Sequence, residues 1–133
     1  MDDLILLQEE PLDETALRRR LGGEEDGAVV TFAGVVRRLE GEVPLRAIDY
    51  QAYGTMARRV LSGMLAEAHA RGPRFQALIA HRTGVVPVGE TSVWIGVAAG
   101  HRAEAFEVCR WLIDQLKVRV PIWKRDHLPR DGA

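Results

Sequence analysis

The chain has 133 residues, 47% of them hydrophobic and 28% charged, which is enough for one compact domain and too short for two ordinary ones. A formal charge of −1 excludes the strongly basic field of a non-specific nucleic-acid binder. No apolar run approaches the roughly 20 residues of a membrane-spanning helix, and the opening Met1-Asp2-Asp3 is acidic where a signal peptide is basic, so a soluble cytosolic protein without membrane contact is expected.

Leu4 to Leu7 is a short apolar run, expected as an edge strand. Asp13-Glu14-Thr15 opens a helix that Gly22-Gly23 closes, with acids at its start and Arg18-Arg19-Arg20 at its end, as the helix dipole favours. Ala28 to Val36 is valine-rich and predicts a well-buried strand, followed by an exposed loop from Arg37 to Pro44. Leu45 to Tyr53 alternates as a strand does and is expected to pair with the strand before it. Thr55 is the expected N-cap of an amphipathic helix running to about Arg71, where Met56, Val60, Leu61, Met64, Leu65 and Ala68 recur at three- and four-residue steps and Gly72-Pro73 ends it.

Phe75 to His81 and Ser92 to Ala98 predict two further strands, linked by Val85 to Glu90. A third helix runs from about Arg102 to Val118, its apolar face marked by Ala105, Cys109, Leu112, Ile113 and Leu116, and stops before Pro121. Ile122-Trp123 begins a last short strand. The order β-α-β-β-α-β-β-α-β, rich in hairpin-like pairs, predicts one α+β domain over residues 1–133 with a mostly antiparallel sheet and a ferredoxin-like β-α-β-β core order.

The cations carry the chemical signal. Of 18 basic residues 16 are arginine, and the two lysines, Lys117 and Lys124, stand seven positions apart near the C-terminus. Arginine stays protonated under all ordinary conditions, whereas a lysine amine can exchange its proton and act as acid, base or nucleophile. Either lysine alone has a plain structural use, Lys117 at a helix C-terminus and Lys124 beside Trp123, but arginine would serve both equally well. A shared site for the two amines is the sharper expectation.

His101-Arg102 places cations at a helix N-terminus, against the positive end of the dipole, and Gly100 lets the backbone approach a ligand; a bound anion would reconcile the two. Arg37 stands where a buried strand emerges and is a third candidate, while Arg38 is expected to be solvated. Cys109 falls on the buried face of the third helix and is expected to be a small core residue, and His81-Arg82 is expected to make a structural contact. One cysteine and four histidines give no metal-ligand spacing, so no metal and no cofactor are expected.

Four blocks in order resemble the large, catalytic subunit of molybdopterin synthase: Gly27-Ala28-Val29-Val30-Thr31-Phe32-Ala33-Gly34-Val35-Val36-Arg37; His81-Arg82-Thr83-Gly84 with Val88-Gly89-Glu90; His101-Arg102-Ala103-Glu104-Ala105-Phe106; and Leu116-Lys117-Val118-Arg119-Val120-Pro121-Ile122-Trp123-Lys124-Arg125. The resemblance implies an α/β hammerhead fold and a central homodimer carrying one small ubiquitin-like sulfur-carrier subunit at each end. It further implies a reaction in which two sulfurs pass from the carrier's C-terminal thiocarboxylate to cyclic pyranopterin monophosphate, giving the dithiolene of molybdopterin without a metal.

By the same resemblance Lys117 and Lys124 fall on the catalytic lysines, and Arg37, His101 and Arg102 on the pocket for the pterin phosphate. Val35, Val36, Arg125 and Asp126 fall on substrate-contacting segments. The chain departs from the family pattern at Arg37-Arg38-Leu39-Glu40-Gly41, and where many relatives continue through a tryptophan and a basic tail Arg130 is the nearest basic side chain here. A non-catalytic module that binds a phosphorylated metabolite is the competing expectation; it would need the arginines and His101 but not the lysine amines.

Overall fold

The computed structural model describes residues 3–72 and 74–130; Pro73 of the expected helix stop and the terminal Asp131-Gly132-Ala133 lie outside them. In chain order the elements are β1 (Leu4–Gln8), α1 (Glu14–Arg19), β2 (Ala28–Val35), β3 (Leu39–Glu40), β4 (Val43–Ala52), α2 (Gly54–Ala70), β5 (Phe75–Arg82), β6 (Gly84–Pro87), β7 (Thr91–Ala99), α3 (Arg102–Arg119) and β8 (Ile122–Pro129).

The strands form two four-stranded sheets. The first has the order β1-β5-β7-β2, with β7 antiparallel to both β2 and β5. β2 and β5 therefore run parallel with an antiparallel strand between them, which is the split β-α-β arrangement of the ferredoxin-like topology. Two departures follow: β1 adds to the outer edge parallel to β5, and β8 leaves this sheet for the second one. In the second sheet β4 is the hub, pairing antiparallel with β3, β6 and β8. The α+β class, the mostly antiparallel pairing and the edge position of β1 match expectation.

Both faces of the first sheet are covered, which explains why β5 and β7 are nearly continuous apolar runs. Along β7 the side chains divide by parity. Val93, Ile95, Val97 and Ala99 pack under α2 and α3 with Leu61, Met64 and Leu112, while Trp94 and Ala98 face α1 with Leu17 and Leu21. Gly96 sits between Trp94 and Leu21 on the α1 side, where a Cβ would overlap both side chains. A third cluster, Val36, Leu45, Ile48, Tyr50 and Val86, fills the second sheet.

Several expectations are corrected. The strand at Leu45–Tyr53 does not pair with the valine-rich strand expected beside it; β4 crosses to the second sheet and β2 pairs with β7 instead. The expected link between β5 and β7 contains a strand, β6, opened by Gly84 at φ 77°. The loop after β2 holds the two-residue β3, and the last strand extends to Pro129. Each of these segments is short or polar on its own, and only pairing with β4 makes it a strand. α1 is capped as expected by Asp13, which accepts from the Ala16 N–H at 3.0 Å, but it ends at Arg19. The N-cap of α2 is Tyr53 rather than Thr55 and makes no side-chain capping bond.

Candidate functional site

The exit from α3 brings the two lysines together. Lys117 lies in its last turn; the chain then straightens at Val120, and the Tyr53 N–H donates to the Pro121 carbonyl at 3.1 Å, pinning the connector. β8 starts at once and runs back along β4, with Lys124 opposite Tyr50 and Asp126 opposite Asp49. Arg125 is left over between these pairs, a bulge that changes the aim of the side chains around it.

Lys117 and Lys124 line one small cavity of about 110 Å³ with Tyr50, His81, Ser92, Leu116 and Trp123. Trp123, which lines the cavity, leans against Tyr53 with ring centroids 4.9 Å apart, and both side chains are exposed. A larger cavity of about 390 Å³ between α2 and α3, lined by Arg71, Glu104, Glu107 and Trp111, contains neither lysine.

His81 makes the structural contact expected of it, and it also lines the lysine cavity, which the sequence reading did not foresee. It is buried at 5% exposure near the end of β5 and stands edge-on to Tyr50 with centroids 5.3 Å apart. Its Nδ1 lies 2.7 Å from the Arg82 carbonyl oxygen. A carbonyl only accepts, so Nδ1 carries the proton and Nε2 is the unprotonated nitrogen. Burial, with the Lys117 ammonium adding to it against the opposing pull of the Arg82 carbonyl, lowers its pKa to about 4. The ring is neutral at neutral pH. The available signal was a polar residue interrupting an apolar strand that is buried on both faces.

Arg82, as expected, is structural. Its guanidinium is buried, donates to Glu90 Oε1 at 2.8 Å and gives two further bonds to the Glu9 carbonyl. Cys109 is buried as expected, its thiol pushed up to about 11 by desolvation.

The remaining candidates divide between two ends of the molecule. Ser92, in the lysine cavity, donates to the Gly34 carbonyl at 3.2 Å, so the end of β2 runs past that cavity and delivers Val35, exposed, and then Arg37, also exposed. Val36 turns inward and is 3% exposed; it presents backbone, its N–H donating to Glu90 and its carbonyl accepting from Gly89. Arg125 and Asp126 are exposed neighbours, 4.0 Å apart. His101 and Arg102 lie elsewhere. They open α3, and Lys117 stands fifteen residues further on, about 22 Å along the axis at 1.5 Å per residue. His101 makes no capping bond, its side chain is 88% exposed, and Glu104 lies 3.9 Å from it. Among the described residues no group of three or more His, Cys, Asp or Glu is arranged to hold a metal ion.

The family model described as MoaE protein matches residues 7–119. The chain belongs to the MoaE family. A relative from Thermoplasma volcanium, named molybdopterin synthase catalytic subunit, is 43% identical to it over 118 residues, covering 89% of this chain and 84% of the relative. A protein of the same name from Oryza sativa subsp. indica is 42% identical over 131 residues, covering 94% of this chain but only 66% of the longer rice protein. Among solved structures, molybdopterin synthase from Staphylococcus aureus superposes with a TM-score of 0.88 at 31% identity, covering 96% of this chain and 92% of that one. A complex of subunits 1 and 2 of molybdopterin-converting factor from Helicobacter pylori shares the fold at a TM-score of 0.77 and 20% identity. The MoaE match takes in Lys117 and stops before Lys124, so the second lysine rests on the β8 geometry.

Proposed function

We propose that the chain is the catalytic subunit of a molybdopterin synthase, a single catalytic domain that moves two sulfurs in turn from the thiocarboxylated tail of a small carrier subunit to cyclic pyranopterin monophosphate. The observation that carries this reading is the meeting of the chain's two lysines, Lys117 and Lys124, in one cavity beside a neutral histidine.

A cavity of about 110 Å³ is small against the roughly 300–1,000 Å³ of ordinary ligand pockets. It suits the reacting end of an extended carrier tail, with the pterin over its mouth. The exposed aromatic pair of Trp123 and Tyr53 beside it gives the carrier a surface to seat on. In this reading Lys117 orients the thiocarboxylate and exchanges protons, and Lys124 stabilises negative charge developing on the pterin side.

Phosphate binding falls to Arg37, His101 and Arg102, with Val35, Val36, Arg125 and Asp126 bordering the substrate. One chain cannot bring His101 and Arg102 to its own Lys117 across about 22 Å of helix. The reading therefore includes a homodimer in which a second copy supplies these two residues, with a carrier subunit at each end. The fold shared with a two-subunit converting factor from Helicobacter pylori supports the carrier as partner. The same reading puts the protein in the cytoplasm, where a buried free thiol such as Cys109 stays reduced.

The test is a single-turnover reaction of the protein with thiocarboxylated carrier and cyclic pyranopterin monophosphate, followed by mass spectrometry. Gain of two sulfurs by the pterin, with the carrier returned as carboxylate, is expected. Tight pterin binding with no sulfur gain, and no effect of replacing either lysine, would leave a metabolite-binding module instead.

A further inference from the structure

The proposed reaction gives no task to one buried charge beside the site. Arg82 is 5% exposed at the end of β5; its guanidinium donates to Glu90 Oε1 at 2.8 Å and twice to the Glu9 carbonyl, at 2.9 and 3.1 Å. Stability alone is a weak reason for such a pair, because it is costly to desolvate and apolar residues in its place are often as stable or more so. Its placement supplies a better one. The Arg82 carbonyl holds His81 in the wall of the lysine cavity, while the Arg82 guanidinium holds the turn that carries Glu90.

That turn runs from Pro87 to Glu90 and is closed by the Glu90 N–H, which donates to the Pro87 carbonyl at 3.1 Å. Gly89, its third residue, lies in the left-handed region at φ 88°, which glycine adopts without strain. The turn grips the end of β2 with two bonds: the Val36 N–H donates to the Glu90 carbonyl at 3.0 Å, and the Gly89 N–H donates to the Val36 carbonyl at 2.9 Å. Two residues on, the Arg38 carbonyl accepts from the Leu45 N–H at 2.6 Å. Arg37 stands between these fixed neighbours. Its side chain is exposed, so its aim depends on where the backbone releases it. The Val88 N–H holds the turn from the β4 side, on the Arg46 carbonyl, and the Glu90 carboxylate holds it from the β5 side, on Arg82.

We propose that Arg82 and Glu90 are positioning residues for Arg37: their ion pair anchors the turn that fixes Val36, and with it the point from which the Arg37 side chain reaches the substrate phosphate. This rests on the synthase reading above, which gives Arg37 its phosphate. Neither residue touches the substrate or moves a proton. Together they set the place of a phosphate-binding cation relative to the cavity wall that His81 forms.

Two measurements test it. The first does not depend on turnover: in amide hydrogen exchange, Glu90→Ala is expected to speed exchange at Val36 and Gly89 by about tenfold or more while Ile95 and Val97, inside β7, keep their protection. Unchanged exchange at Val36 and Gly89 overturns the proposal, whether or not the protein transfers sulfur. The second is single-turnover sulfur transfer with saturating carrier and varied cyclic pyranopterin monophosphate. Glu90→Ala removes the carboxylate and leaves the backbone bonds of the turn possible, while Glu90→Gln keeps an oxygen to accept from Arg82.

Glu90→Ala is expected to raise the pterin concentration at half-maximal rate by about tenfold and to leave the maximal rate within about threefold, the pattern of lost substrate binding rather than lost chemistry. Glu90→Gln should return the half-maximal concentration to within about threefold of the unmodified protein, and Glu90→Ala should add less than about twofold in an Arg37→Ala background. A half-maximal concentration that ignores Glu90→Ala, or losses at Glu90 and Arg37 that multiply independently, would overturn the assignment. A merely structural pair would lower stability without this coupling to Arg37. If the unmodified protein transfers no sulfur, the synthase reading fails and amide exchange still decides whether the pair fixes the backbone at Arg37. If Glu90→Ala does not fold, Glu90→Asp, which keeps the charge but withdraws it by one methylene, takes its place in both measurements.

Discussion

Arg102 and Lys117 occupy opposite ends of one helix, the first at its N-terminus and the second in its last turn. A rigid helix of this length holds them about 22 Å apart, beyond the reach of one small phosphorylated substrate. If both serve one reaction, they do so from different copies. Arg102→Ala and Lys117→Ala should therefore each be inactive alone, yet regain activity when mixed under conditions that let subunits exchange. A hybrid dimer contains one site lacking both residues and one site lacking neither, so random mixing should restore roughly a quarter of the original sites. Single-turnover sulfur transfer on the mixture measures this. No recovery, with exchange verified by mass spectrometry, would place both residues in one copy's site or outside any site.

The two lysines should respond differently to arginine. Arginine keeps the positive charge but cannot release its proton. Lys117→Arg is expected to slow sulfur transfer by about a hundredfold or more, as loss of a proton-transferring group does. Lys124→Arg should retain a larger share of the rate than Lys124→Ala, because stabilising charge on the substrate needs only a cation in place. Rates for the arginine and alanine variants at both positions provide the check, and equal tolerance of arginine at the two positions would remove the division of labour.

Much of this site was legible in the sequence because its signals are local. Two lysines among sixteen arginines, a proline between them and a helix that must stop there mark one end of the cavity without any tertiary knowledge. What was not legible is long-range. His81 lies thirty-six positions before Lys117, and only the crossing of β5 with the end of α3 brings it to the lysines. The second sheet was missed for the same reason. β6 is four residues and β3 is two, and neither has a period long enough to register until β4 offers an edge. The separation of Arg102 from Lys117 was implicit in the helix length, yet a resemblance that assigns residues to one pocket does not say how many chains build it.

Cys109 is the chain's one sulfur nucleophile, and its surroundings remove it from the chemistry. Burial raises its pKa to about 11, so at pH 8 only about one thiol in a thousand is ionised. Iodoacetamide should leave the folded protein unmodified while alkylating the unfolded chain at the ordinary rate. Cys109→Ala should transfer sulfur within about twofold of the unmodified rate, with a stability loss of about 1 kcal/mol from the lost packing. Loss of activity in a folded Cys109→Ala protein would make the thiol a sulfur relay after all.

Gly96 tests the two-sided core. A methyl group there meets Leu21 on one side and the six-membered ring of Trp94 on the other, and both belong to the cluster that seats α1 on the sheet. Gly96→Ala is expected to cost about 1–3 kcal/mol, the usual penalty for overfilling a packed interior, read as a Tm lower by several degrees. Leu21→Ala made with it should recover part of the loss by opening the space. A Gly96→Ala protein as stable as the original would mean that α1 is not packed against this face as described.

His81 makes a prediction about stability that is separate from catalysis. Its pKa is about 4 in the folded protein against 6.5 for an ordinary histidine, so between these values the unfolded chain binds a proton that the folded one excludes. The folded state thus holds its full advantage above about pH 6.5 and loses it as the pH falls toward 4. The whole effect is about 3 kcal/mol at the low end of that range. Urea unfolding at a series of pH values should show this slope in the unmodified protein and a shallower one in His81→Gln, whose amide does not titrate. Lys117→Ala should retain most of the slope, because burial is the larger cause and the lysine charge the smaller. Equal slopes with and without the imidazole would mean that His81 takes up its proton in the folded protein as readily as in water.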